Sequence, residues 1–248
     1  MTVSFSPPVL SAPQRLDATL REQGFAVLSA EQVQACSGVP LPVLAEWSAA
    51  WSDLPPDRYL KDGGRYRRRR HGSFVVRGDV LEPVPHRPHW QPVEYNALHG
   101  GMQRHFEPMP EAWVRQPGWQ ALLVWLGQVA SGLRGVQPWY VEAHPFRIDT
   151  SDGIGRPTPE GAHRDGVDLV AVFLVARQHV RGGETRVFDA ASPHGQRFTL
   201  EQPWSLLLLD DARVIHETTP IQPLAVAGWR DTLVITLRGG GFQDASAG

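Results

Sequence analysis

The chain has 248 residues, 42% of them hydrophobic and 20% charged, so it can bury a sizeable core and is neither a disordered segment nor a disulfide-stapled miniprotein. A formal net charge of −2 gives no global electrostatic case for binding nucleic acid or an anionic membrane. The single cysteine, Cys36, can form neither an internal disulfide nor a multi-cysteine zinc site, which fits a reducing cytosol.

The opening stretch MTVSFSPPVLSAPQRLD lacks a basic start and an apolar signal core, so no secretion address is read there and a cytoplasmic location is expected. Leu16 and Leu20 stand at helical spacing and predict a helix over 13–23 that stops at Gly24. FAVL at 25–28 reads as a short strand. LPVLAEWSAAW at 41–51 and GWQALLVWLGQVASGL at 118–133 repeat apolar residues at helical spacing, with Pro117 suited to a first helical turn. Between them, 53–110 is rich in Pro, Gly, Arg and His, and short strands with ordered loops are expected. The arginine run 67–70 within it is a small patch on a chain without a broad basic face. It reads as a strand with one or two inward arginines rather than a nucleic-acid surface.

From Trp139 the pattern changes to short apolar or alternating runs at 140–148, 169–176, 184–188, 197–200, 204–209 and 232–237. Turn formers such as DGIGRPTPEG, RGG and ASPHG separate them. The run 169–176 falls far short of the ~20 apolar residues of a membrane helix. Close strands without intervening helices predict a β-barrel or jelly roll. With no linker and no internal repeat, the expectation is one domain over 1–248. Its class is mainly β with flanking helices: a helical part, 1–138, packed on a cupin-like double-stranded β-helix at 139–240.

His163 and Asp165 are two apart and project to the same side of an extended chain, just before the apolar run. His216 lies at the far end of another apolar strand, in LLLLDDARVIHETTP. Two imidazoles and a carboxylate leave three adjacent positions open on an octahedral Fe(II), where a co-substrate and O₂ can bind. His-x-Asp alone occurs by chance in many proteins; the distal histidine and the arginine that follows it strengthen the reading. That arginine, Arg230, opens RDTLVITLR and could hold a carboxylate bidentately or simply pair with an adjacent acid.

The order HRD (163–165), GGET (182–185), a distal His and a strand with Arg resembles the Fe(II)/2-oxoglutarate-dependent dioxygenases. More narrowly, 157–189 resembles the bacterial family that includes free L-amino-acid hydroxylases such as isoleucine dioxygenase. YRRRRH (66–71), EYNALHGGMQRHFEP (94–108), LLLDDARVIHETTPI (207–221) and WRDTLVITLR (229–238) look like the same family. The resemblance implies His163, Asp165 and His216 as iron ligands and a dioxygenase using Fe(II), 2-oxoglutarate and O₂. It further implies Arg230 as the anchor of the far carboxylate of 2-oxoglutarate, with Arg238 on the same strand as the competing candidate. The implied substrate is a small polar molecule, a free amino acid, with neither nucleic acid nor membrane as partner.

Arg147, on the strand with His144, could bind the substrate carboxylate or the near end of 2-oxoglutarate. Its plainer role would be an ion pair with Asp149, Asp152 or Asp165. Tyr95, Asn96 and Arg104 are further pocket candidates, because the double glycine at 100–101 lets backbone approach a ligand. Two other function classes remain open at this point. A cupin-like metal enzyme without 2-oxoglutarate predicts no buried arginine opposite the metal, and a non-catalytic binding barrel would keep the ligands as relics. No Gly-x-Ser-x-Gly elbow and no Gly-Lys-Ser/Thr signature occurs, against a serine hydrolase and a P-loop enzyme.

Overall fold

Strand alternation sorts the side chains of this chain into an outer layer that helices cover and an inner layer that faces a second sheet. The computed structural model describes residues 2–4, 8–96, 98–224 and 227–244; Ala97 of the 94–108 motif lies outside them. The helices are α1 (Leu16–Gln23), α2 (Ala30–Ser37), α3 (Leu41–Trp47), α4 (Glu111–Val114) and α5 (Pro117–Arg134). In the first half the strands are β1 (Thr2–Ser4), β2 (Phe25–Leu28), β3 (Arg67–Arg69), β4 (Gly72–Arg77) and β5 (Val80–Pro83). Then come β6 (Trp139–Asp149), β7 (Leu169–Gln178), β8 (Val180–Gly182), β9 (Thr185–Asp189) and β10 (Gly195–Phe198). The last four are β11 (Leu206–Asp210), β12 (Val214–Thr218), β13 (Ile221–Pro223) and β14 (Trp229–Arg238).

The large sheet runs β2-β11-β7-β14-β6-β4-β5, with β3 also paired to β6; the smaller one runs β1-β10-β9-β12, and β13 pairs β8. These are the two faces of the expected jelly roll. The barrel is not confined to 139–240, however. The first half supplies β2 to one edge of the large sheet and β3, β4 and β5 to the other side. Without β3 and β4, the backbone groups of β6 on that side would lack partners, which a buried strand does not tolerate.

On the outer face of the large sheet, Ala26, Leu28, Leu206, Leu208, Leu233 and Ile235 pack with the helices in one cluster. On the inner face, Phe25, Val27, Val170, Leu174, Leu207 and Leu209 meet Val187, Phe198 and Val214 of the smaller sheet. One end of the barrel is therefore filled with hydrocarbon, leaving the other for polar side chains. The helix at 41–51 ends as α-helix at Trp47 and continues as a 3₁₀ segment, Ser48–Asp53. That segment presents Trp51 to the sheet, and Trp47, Trp51, Trp113, Trp119 and Trp204 interlock with ring centroids 5.2–6.1 Å apart.

The register of β14 against β7 shifts between Asp231 and Thr232. There the buried indole of Trp51 donates from Nε1 to Phe146 O at 2.9 Å and Thr232 O at 3.2 Å. The helical layer thus supplies a hydrogen bond where the strand ladder is irregular, one residue from the inward-facing Arg230. No helix among the described residues is long and apolar enough to cross a membrane. Trp51→Ala removes both the buried ring and this donor, and should cost about 3–5 kcal/mol of stability, read from the shift in urea unfolding. A loss under 1 kcal/mol would show that the ring does not brace the sheet.

Candidate active site

The polar end of the barrel encloses a cavity of about 130 Å³. Its floor is the inner face of the large sheet: Glu142, His144, Phe146 and Ile148 on β6 lie opposite Thr236, Val234, Thr232 and Arg230 on β14. His163, Asp165, His216 and Thr218 close it from the smaller sheet, and Gln91, Asn96 and Arg104 reach in from the 84–110 loops.

His163 and His216 are held together by their own backbones. His163 N donates to His216 O at 3.0 Å and His216 N donates to His163 O at 2.9 Å, an isolated antiparallel bridge that adds the ligand segment to the edge of β12. This brings the imidazoles to a centroid separation of 4.7 Å. Asp165 Oδ1 lies 3.8 Å from His163 Nε2, and Asp165 Oδ2 lies 3.8 Å from His216 Nε2. All three donor atoms lie within 4.8 Å of one another. His163 Nδ1 donates to Gly161 O at 2.9 Å, which turns Nε2 toward the cavity, 3.5 Å from Glu160 Oε1. Against the burial that would lower it, Asp165 and Glu160 raise the His163 pKa above its ordinary value. Arg164, between the ligands in sequence, turns away and donates to Ala212 O.

The turn after His163 is fixed by Asp211. Its carboxylate accepts from Asp165 N at 3.0 Å, Gly166 N at 2.8 Å and Val167 N at 3.1 Å. Burial and the neighbouring Asp165 push the Asp211 carboxyl up to about 6, against these three donors. Gly166 sits at φ +74°, and a Cβ there would stand 2.4 Å from the Tyr95 ring. Tyr95 therefore packs on the ligand turn and does not line the cavity, whereas Asn96 and Arg104 do. Gln91 ties those two to the ligand set. Its Oε1 accepts from Arg104 Nη2 at 2.8 Å and Asn96 Nδ2 at 3.1 Å, while its Nε2 donates to Asp165 Oδ1 at 3.3 Å.

Arg230 is 3% exposed, makes no ion pair among the described residues, and its buried Nε has no hydrogen-bond partner. Burial, with Arg177 nearby, lowers it to about 10. The neighbouring acid is already taken: Asp231 accepts from Arg147 Nε at 2.8 Å and Nη2 at 2.7 Å. Arg147 therefore does not reach the cavity. On β6 the inward residues are even-numbered, so Arg147 points to the opposite face, beside the Trp229 ring. Its ion pair is with Asp231, none of the acids that the sequence suggested. Arg238 shares the parity of Arg230 but sits past the cavity, donating to Gly241 O at 2.8 Å.

A second quartet of metal-capable groups, His71, His89, Glu142 and His144, also falls within 4.8 Å. Three of its members hold one another and the fourth, His144, is held by Arg69, while His71 Nδ1 has no hydrogen-bond partner. Glu142 accepts from His71 Nε2 at 3.0 Å and His89 Nδ1 at 3.2 Å, and His144 Nδ1 accepts from Arg69 Nη2 at 2.6 Å. Burial opposes ionisation of Glu142, but the two histidines outweigh it and keep the group a carboxylate. Burial lowers His89 to about 4 and keeps His71 and His144 neutral too. With guanidinium groups alongside, this quartet disfavours a further cation.

A family model described as 2OG-Fe dioxygenase matches residues 48–236. The chain belongs to this family. The solved structure of a bsmA homolog from Methylobium petroleophilum PM1 is 54% identical, with a TM-score of 0.91 and 97% of this chain and 98% of that one covered. The structure of IDO from Bacillus thuringiensis (16% identity, TM-score 0.75, 96% and 100% covered) has the same fold. So does the Fe(II)/(alpha)ketoglutarate-dependent dioxygenase TqaL (18% identity, TM-score 0.70, 92% and 87% covered). No curated protein matches the sequence.

The enzyme is thus a 2-oxoglutarate-dependent dioxygenase of a family that uses Fe(II), 2-oxoglutarate and O₂. The residues of this dioxygenase fit those groups. Two imidazoles and a carboxylate converge with His163 Nε2 turned to the cavity, and a buried guanidinium without a carboxylate partner faces the same cavity. Sequence reasoning did not single out Gln91, Glu142, Glu160 or Asp211. Asp211 stands five residues before His216 in a run of apparent turn formers, and only the fold brings it under the ligand turn. Asp211→Asn should weaken Fe(II) binding about 10–100-fold, as loss of an outer hydrogen-bonding partner commonly does, measured by metal titration of a folded variant. An unchanged affinity would show that Asp211 does not position the turn.

Proposed function

We propose that His163, Asp165 and His216 hold Fe(II), that Arg230 grips the far carboxylate of 2-oxoglutarate, and that the dioxygenase hydroxylates a small polar acid, a free L-amino acid. Arg230 carries this reading: a buried, unpaired guanidinium in the same cavity as the triad needs an anion, and a dicarboxylate chelating at its other end supplies one. The cupin-like alternative without 2-oxoglutarate gives that guanidinium no partner. Bound Fe(II) and its co-substrate supply the O₂ chemistry, which puts one oxygen atom into a substrate C–H bond and the other into succinate, with release of CO₂.

What this chain's residues do is position and exclude. The antiparallel bridge between His163 and His216 fixes the imidazoles, and Gly161 O orients one of them. Gln91 steadies Asp165 through one oxygen, so the carboxylate keeps its aim. Val172 and Val234 on the sheet floor, with Val167 at the ligand turn, give apolar walls that keep water from the reacting centre. A cavity lined mostly by charged and polar side chains suits a small polar substrate.

The test is succinate release with Fe(II), ascorbate and 2-oxoglutarate across the twenty amino acids. Stimulation by at least one is expected, and none by any amino acid would remove that substrate class. Arg230→Ala should raise the 2-oxoglutarate requirement at least tenfold, since losing a buried charge-assisted partner costs about 2–5 kcal/mol, and leave Fe(II) binding nearly intact. Arg230→Lys should recover only part, because a point charge cannot reproduce two parallel hydrogen bonds. If Arg238→Ala shows the loss instead, the anchor is Arg238.

A further inference from the structure

The cavity holds more cationic side chains than a single dicarboxylate explains. Arg67, Arg69 and Arg104 all line it, and all are buried. Arg67 is answered by Asp57, with Nε to Oδ2 at 2.7 Å. Arg69 and Arg104 make no ion pair among the described residues. Of the acids that line the cavity near them, Glu142 has one oxygen on His71 and the other on His89, and Glu160 lies beyond ion-pair distance of both guanidinium groups, with Oε1 3.5 Å from His163 Nε2. Arg69 and Arg104 also each keep a buried Nε without a partner.

These two groups are built in place rather than merely trapped. The Arg69 guanidinium carbon sits 3.8 Å from the Phe106 ring centroid and 4.3 Å from that of Phe146, so two aromatic rings pack against it. His144 Nδ1 takes one of its edge hydrogens. The donors that remain can be used only in the plane, the geometry in which a guanidinium meets a carboxylate. Arg104 is 2% exposed and is oriented by Gln91 Oε1. Gln91 in turn donates to Asp165, so Arg104 stands two hydrogen bonds from the candidate iron ligand. β3 and β14 flank β6 on opposite sides, with Arg69 paired to Phe146 and Arg230 paired to Ile148, so the two guanidinium groups enter the cavity from opposite sides of that strand.

We propose that Arg69 and Arg104 form a second anion subsite that binds a carboxylate of the primary substrate, with Arg69 across β6 from Arg230. The proposal rests on the reading above for the place of 2-oxoglutarate, and it makes the acid group of the substrate, rather than its side chain, the feature that the N-terminal half of the chain recognises. The neutral His71, His89 and His144 with ionised Glu142 serve as the scaffold that holds Arg69 in plane.

Anaerobic calorimetry on the enzyme loaded with Fe(II) and 2-oxoglutarate tests this, titrating each of the twenty L-amino acids and then its primary carboxamide. At least one acid should bind, with its amide at least tenfold weaker. Arg69→Met and Arg104→Met should each weaken the acid at least tenfold, leave the amide unchanged, and leave the affinity for 2-oxoglutarate within about twofold. Arg104→Lys should restore part of the loss. Acid and amide binding alike, or a loss of 2-oxoglutarate affinity in place of substrate affinity, would overturn the proposal. So would an enzyme that binds 2-oxoglutarate but none of the acids, and that outcome leaves the co-substrate reading standing. A parallel measurement uses propionate as a bare carboxylate, followed by thermal stabilisation of metal-free Arg230→Ala protein, in which the co-substrate's anchor cannot answer. Stabilisation that disappears when Arg104→Met is added supports the second subsite even if the loaded enzyme takes up no 2-oxoglutarate. Stabilisation that persists counts against it.

Discussion

The two-residue period of the pleated strand decides which chemistry meets in this protein. Along β6 and β14, paired in unbroken register from Trp229 opposite Asp149 to Arg238 opposite Tyr140, one parity faces the helices and the other faces the cavity. Arg230 enters the cavity because it is even-numbered on β14, and the adjacent Asp231 is carried to the outer face, where Arg147 meets it. A one-residue slip would exchange the two, placing an acid in the cavity and turning the guanidinium to the helical face. The tryptophan layer and the Trp51 hydrogen bonds at the β14 irregularity hold that parity in place.

Charge is the second theme. Some arginines are matched close by, as Arg67 with Asp57 and Arg147 with Asp231. Arg230, Arg69 and Arg104 are left over, each buried and each with an unsatisfied Nε. Leaving a guanidinium desolvated without a counter-charge is costly, so the free protein holds a tension that anionic ligands relieve. The histidine quartet beneath Arg69 is neutral apart from Glu142, so it orients the guanidinium without quenching it.

Much of this was legible in the sequence because it rests on local spacing. His163 and Asp165 at a separation of two, the close-set strands after Trp139 and the helices at 13–23, 41–51 and 118–133 all follow from periodicity. The inward arginines of 67–70 also emerge as expected, with Arg67 and Arg69 buried and Arg68 exposed. Helix α2 was missed although Ser29 and Gln32 form a capping box, because its apolar face is thin. Arg147 was misplaced although parity was available: once His144 faces inward, a residue three further along cannot. Asp211, Gln91 and the attachment of β3 and β4 to β6 could not be read at all. Each acts across more than forty residues of chain, and a single sequence carries no record of such pairing.

The attachment of β3 beside β6 has a consequence for how such an enzyme changes over time. The groups assigned to iron and co-substrate come from the segment 163–230, whereas Arg67, Arg69 and Arg104 come from a stretch that ends before β6 begins. The ladders of β3 and β4 with β6, the hydrogen bond from Arg69 to His144 and the bridge through Gln91 are among the contacts that join the two sets. Loop insertions or exchanges between 53 and 110 can therefore reshape what is bound while the oxidising machinery keeps its geometry, so that new specificities arise without rebuilding the catalyst.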